Sequence, residues 1–170
     1  ISTSKVRNEM IIDDVITCVA RKQTPVILTR FKEHAKFLHD ALKEKADHVF
    51  LLYGDNSDKE NAEIRVKLKQ IPENESLILV ATGQKIGEGF DFPRLDVLML
   101  AAPVSFEGRL EQYVGRLNRD YVGKEAVYVY DYIDSHVRYF DKMYAKRLRT
   151  YRKTGFSIWT QELQPKQIIN

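Results

Sequence analysis

An open α/β sheet, mostly parallel and covered by helices on both faces in three layers, is the fold class that this sequence predicts. Three observations predict it. Short runs that are apolar throughout, such as Val26-Ile27-Leu28 and Leu77-Ile78-Leu79-Val80-Ala81, alternate along the chain with segments of helical period. A strand that is apolar at every residue, not every second one, is buried on both faces, as parallel strands joined by crossover helices are. Finally, 170 residues with 44% hydrophobic and 30% charged side chains match one globular domain able to bury its own core.

The elements follow in order. Ile11, Ile12, Val15, Ile16 and Val19 recur at helical spacing and predict an amphipathic helix over Asn8 to Ala20. Pro25 opens a strand over Val26 to Arg30. A second helix is expected over Lys32 to Lys45, with Ala35, Leu38 and Leu42 on one face and Phe37 and Ala41 beside it. His48 to Tyr53 reads as a strand closed by the turn Gly54-Asp55-Asn56. Ser57 with Glu60 three residues on forms a capping box, so Asp58 to Gln70 is expected to be a helix. After a loop at 72–75, Leu77 to Ala81 and Asp96 to Ala101 are the next strands. Glu107 to Leu117 reads as helix and Ala126 to Tyr130 as a last strand. A long basic helix over His136 to Arg152 follows, within a C-terminal region of basic helix (about 135–153) and tail (154–170). Nothing in composition splits the chain, so 1–170 is expected to be a single domain.

Ligands of such sheets gather beyond the carboxyl ends of the strands. That rule selects Thr29-Arg30, Gly54, Thr82-Gly83 and Ala102-Pro103. After Thr82 the chain carries Gly83, Gly87 and Gly89, which let backbone approach a ligand closely, between the Thr82 hydroxyl and the Asp91 carboxylate. The alternative reading of this stretch by itself is a tight crossover in which a buried Asp91 caps a helix. Further on, the run Gln112-Tyr113-Val114-Gly115-Arg116-Leu117-Asn118-Arg119 places Gln112, Arg116 and Arg119 on one side of a helical turn, because residues three and four apart share a face. Arginine suits polyphosphate: its planar fork stays charged and donates two parallel hydrogen bonds to a phosphate. Without further context, these are two solvated helix arginines.

Several chemistries are excluded or left open. Gly123-Lys124 lacks the earlier glycine and the following Ser or Thr of a phosphate-cradling Walker A loop, and Gly87-Glu88-Gly89 lacks the third glycine of a dinucleotide fingerprint. Asp131 and Asp134 read as caps of the following helix, not as a magnesium box. The histidines, His34, His39, His48 and His136, have no metal-ligand spacing, so no metal site is expected. A lone cysteine, Cys18, reads as a buried thiol in a reducing, cytoplasmic compartment. No apolar run reaches membrane-spanning length and the first residues do not resemble a signal peptide, so no membrane partner is expected. A net charge of +3 is too small by itself to imply nucleic acid. Arg138, Lys142, Lys146, Arg147, Arg149, Arg152 and Lys153 face a single acid, Asp141, within their helix. That helix either follows a phosphate backbone or docks its aromatics on the sheet and leaves its charges in water.

Taken together, Val26 to Arg30, Gly54, Ala81 to Pro93 and Gln112 to Arg119 resemble motifs of the C-terminal, RecA-like motor domain of superfamily 2 helicases. They are similar to its motif IV, the glycine after its second strand, its motif V (Ala-Thr with a later Gly-x-Asp) and its motif VI (Gln-x-x-Gly-Arg-x-x-Arg), in the family's order. The form of Gly87 to Pro93 is most similar to the restriction-enzyme and repair-translocase branches, and the likeness covers about residues 24 to 134. The resemblance implies a RecA-like fold and a cofactor, ATP, held with its magnesium by an N-terminal RecA-like domain of the same polypeptide. It implies that Arg119 is an arginine finger facing the γ-phosphate, that Arg116 holds the same phosphates or couples them to the interface, and that Gln112 assists there. Gly89 and Asp91 are then near the ribose and the catalytic water. Arg30, Thr82 and Gly83 contact the backbone of a nucleic acid, DNA ahead of RNA. Because Walker A, the Asp-Glu box and an initiating methionine are missing, the chain is expected to be a fragment of a longer ATP-dependent helicase or translocase, inactive alone. A non-catalytic binding module with the same fold is the alternative, distinguished by whether a Walker A loop precedes Ile1.

Overall fold

A computed structural model of the chain describes residues 5–82, 92–102, 113, 121, 124, 126–132 and 138–158. Its elements are α1 (Lys5–Ala20), β1 (Pro25–Thr29), α2 (Lys32–Leu42), β2 (His48–Leu52), α3 (Asp58–Gln70), β3 (Leu77–Thr82), β4 (Val97–Leu100), β5 (Tyr128–Asp131) and α4 (Arg138–Lys153). The strands form one sheet in the order β2-β3-β1-β4-β5, and every neighbouring pair is parallel. The chain lays β2 and β3 to one side of β1, then β4 and β5 to the other. The rim beyond β1 is therefore the point where strand order reverses, the usual ligand position in such sheets.

Both faces of the sheet are covered, as all-apolar strands require. Val26 and Leu28, Leu79 and Ala81, and Leu98 and Leu100 point to one side, where Leu68 of α3, Tyr113 and Tyr151 of α4 cover them. Ile27, Ile78, Val80, Val97 and Met99 point to the other, against Ile11, Val15 and Cys18 of α1 and Ala35, Leu38 and Leu42 of α2. Alternation along each strand thus divides one apolar run between two cores. Cys18 is a buried free thiol, as expected.

The capping box at α3 forms in both directions: Glu60 N–H donates to Ser57 Oγ at 3.1 Å and Ser57 N–H to Glu60 Oε2 at 2.6 Å. Several boundaries differ from expectation by one to three residues. The first helix begins at Lys5, three residues early, and buries Arg7 and Asn8. Helix α2 ends at Leu42, not Lys45, in a turn where Lys45 N–H reaches the Leu42 carbonyl at 2.8 Å. The last strand occupies 128–131 in place of 126–130, because its first partner is Val97 and Tyr128 N–H donates to the Asp96 carbonyl. Of the helix expected over 107–117 only Tyr113 is described; it is helical and 4% exposed.

Helix α4 closes with a Schellman turn. Gly155 takes the left-handed conformation (φ 87°), Phe156 N–H bonds the Tyr151 carbonyl at 3.0 Å, and the two rings meet edge to face. The start of the expected tail is therefore packed onto the helix. No described helix is long and apolar enough to cross a membrane.

Candidate functional site

The carboxyl ends of β1, β2 and β3 build one rim. Thr29 and Thr82 are register partners on adjacent strands. Strict alternation turns both side chains toward the α1/α2 face, since Thr29 follows Ile27 and Thr82 follows Val80 by two residues. Thr29 is 2% and Thr82 7% exposed, whereas Arg30, one residue past β1, is exposed. Arg30 reaches over the Phe31 ring, its Cζ 5.5 Å from the centroid, and Phe31 is itself 43% exposed.

A buried polar chain fixes this corner. Thr29 donates its hydroxyl to His34 Nδ1 at 3.0 Å, His34 Nε2–H donates to Asn8 Oδ1 at 2.8 Å, and Thr29 Oγ1 accepts the Phe31 N–H at 3.3 Å. The chain requires the Nε2–H tautomer of a neutral imidazole. Burial, reinforced by the Arg7 charge, lowers the His34 pKa to about 4, so the ring is uncharged near neutrality. The β1 rim is thereby tied to both α1 and α2. His34 is a satisfied core histidine, as its spacing suggested; its link to the rim was not legible, because Asn8, Thr29 and His34 meet only after α1 packs against α2.

At the end of β2, Asn56 and Asn61 hold the turn. Asn56 donates its amide to the Leu51 carbonyl at 2.7 Å and to Asn61 Oδ1 at 3.1 Å, and Asn61 donates to the Tyr53 carbonyl at 3.2 Å. Lys32 Nζ crosses Gly54 to meet Asp55 at 2.8 Å. A Cβ on Gly54 would stand 3.0 Å from Lys32 Cε, so the glycine leaves a path for the lysine stem.

The other side of the sheet holds a group that the sequence reading misassigned. Asp131, expected to cap the following helix, instead accepts Arg147 Nε at 2.7 Å, Arg147 Nη2 at 2.9 Å and the Tyr151 hydroxyl at 2.7 Å. The physical reason is that Arg147 and Tyr151, one turn apart on α4, present a fork and a hydroxyl to a carboxylate at the end of an edge strand. Arg147 is 3% exposed, so it is no part of a solvated charge run. The only local signal was an aspartate ending a strand followed by an Arg-x-x-x-Tyr helix face. The helix docks its Met143, Arg147, Thr150 and Tyr151 face on the domain, in keeping with the docking alternative.

Of the sequence-predicted site residues, Thr82 and Arg30 stand on the rim as placed. Gly83, Gly89, Asp91, Gln112, Arg116 and Arg119 lie outside the described residues. Among the described residues no cluster of His, Cys, Asp or Glu could hold a metal ion.

Residues 7–120 match the helicase conserved C-terminal domain family. The chain belongs to that family, and its all-parallel sheet covered on both faces is the RecA-like fold of the C-terminal domains of superfamily 2 helicases. It is 32% identical over 120 residues to the transcript termination protein A18 of Yaba-like disease virus, covering 69% of this chain and 24% of that protein. It is 33% identical over 118 residues to the putative helicase 161L of Invertebrate iridescent virus 6, covering 68% and 22%. The chain thus spans about a quarter of the length of these two relatives. Among solved structures, T4 UvsW superposes with a TM-score of 0.67 at 24% identity, over 86% of this chain and 32% of that one.

Proposed function

We propose that this chain is the second motor domain of an ATP-dependent nucleic-acid helicase or translocase. The supporting observation is the rim: Arg30 and Thr82 belong to separate motifs 52 residues apart, and the parallel sheet brings their strands side by side at one carboxyl edge. Arg30 grips the phosphate backbone of a nucleic acid, with Thr82 and Gly83 bordering the same track behind it and DNA as the first substrate to test. Arg30 supplies an exposed charge, and the hydroxyl–histidine–asparagine chain behind Thr29 keeps it in place.

Gln112, Arg116 and Arg119 face a triphosphate that an N-terminal RecA-like domain holds together with its magnesium. The donor set fits: two guanidinium groups and an amide can neutralise and orient phosphate oxygens, and the sequence offers no loop of its own to cradle them. ATP, when bound, supplies the free energy for moving the two domains. Arg119 stabilises charge developing on the terminal phosphoryl group, Arg116 links the phosphates to the domain interface, and Gly89 and Asp91 border the ribose and the attacking water. An arginine finger contributes roughly 10³ to 10⁵ in rate.

The test is Arg119→Ala in the two-domain protein. ATP hydrolysis is expected to fall by about three orders of magnitude or more while nucleic-acid binding survives. A near-normal hydrolysis rate rejects the assignment.

A further inference from the structure

Helix α4 carries more positive charge than its docking uses. Of its basic residues Arg147 is consumed by Asp131, and the segment 142–153 contains no acid. Lys142, Lys146 and Arg149 are exposed, and among the described residues none of the three is in an ion pair. Offsets of four and three residues keep these three, with Lys153 four further on, within about 60° of one another around the helix and along about 16 Å of its length. Met143, Arg147, Thr150 and Tyr151 occupy the buried side, centred about 115° around the helix from these cations. The result is a straight cationic stripe along an exposed flank of the helix.

Its position follows from the latch. Asp131 is the register partner of Leu100, and Leu100 of Leu28, so the latch lies at the carboxyl end of the sheet. Tyr151 packs with Leu28, Ala81 and Leu100, which places α4 on the face opposite the one to which Thr29 and Thr82 turn. The stripe and the rim are thus separate surfaces at the same end of the domain.

We propose that Lys142, Lys146 and Arg149 form a second nucleic-acid contact, which holds the phosphate backbone through charge beyond the rim and without reading bases. A stripe of this length runs beside about ten phosphate charges of a duplex, enough to release several counterions. Lipid is the poorer partner, because a helix that binds a membrane surface inserts an apolar face, and the apolar face of α4 is already buried in the domain.

The experiment measures binding of the full chain to a mixed-sequence DNA duplex, a duplex of RNA and phosphatidylserine vesicles across a salt series. Lys142→Gln, Lys146→Gln and Arg149→Gln combined should lower the slope of log affinity against log salt by about two to three, near 0.9 per lost phosphate contact, with an unchanged Tm. The charge-conserving set Lys142→Arg, Lys146→Arg and Arg149→Lys should keep the slope. An unchanged slope in the glutamine variant overturns the proposal, as does tighter binding to vesicles than to either duplex. Arg30→Ala separates this inference from the rim reading. A loss of slope with Arg30→Ala alone rejects the stripe and keeps the rim. The reverse result supports the stripe and rejects the rim.

Discussion

Arg147 and Asp131 form a two-point ion pair inside the domain, Nε to Oδ2 at 2.7 Å and Nη2 to Oδ1 at 2.9 Å, with Arg147 only 3% exposed. Tyr151 donates to the same carboxylate, and burial together with the Asp131 charge holds its phenol protonated far above the usual range. Asp131 is largely shielded, its side chain 10% exposed, so water compensates its charge poorly once the arginine is removed. Arg147→Met is therefore expected to destabilise the domain by about 3 to 5 kcal/mol in urea unfolding. Adding Asp131→Leu should recover much of that loss, because the uncompensated charge disappears with it. A single variant within about 1 kcal/mol of the parent refutes the latch.

His34 gives the domain an acid sensitivity of definite sign. Its folded pKa, about 4, is below the ordinary value of 6.5, so the unfolded chain takes up the proton first. Stability from this group is intact above pH 6.5, falls as pH drops toward 4, and levels off below. At 1.36 kcal/mol per pKa unit the full loss is about 3 kcal/mol. Urea unfolding between pH 7 and 4 should show this fall in the parent and a shallower one in His34→Gln. An NMR titration of the imidazole with a midpoint near 6.5 contradicts it.

Arg30 is the described rim residue best placed to meet phosphate, since it is exposed while Thr29 and Thr82 are buried behind it. Arg30→Ala should weaken binding to all nucleic-acid sequences alike and reduce the salt slope by about one. Fluorescence anisotropy on several unrelated sequences checks this. An effect confined to one sequence points to base reading in place of backbone contact.

Much of the fold was legible because it rests on local rules. All-apolar runs such as Leu77 to Ala81 have only one solution that buries both faces, and Ser57 with Glu60 marks the start of α3 through hydrogen bonds spanning three residues. The rim positions of Thr29, Arg30 and Thr82 followed from the same logic. Asp131 was misread because its partners are 16 and 20 residues away on a helix whose docking face no local rule specifies. Motif spacing assigned the family correctly, yet gave no hint that Arg147 differs from Arg149.

Periodicity and residues close together in the chain were enough to read the class of sheet, the family and the order of its motifs. Which strands lie next to one another, which of the α4 cations is neutralised, and how Thr29 reaches Asn8 through a neutral His34 came from long-range packing alone. Those outcomes are set by burial: a polar group removed from water must find a partner wherever packing brings one, however distant it is along the chain.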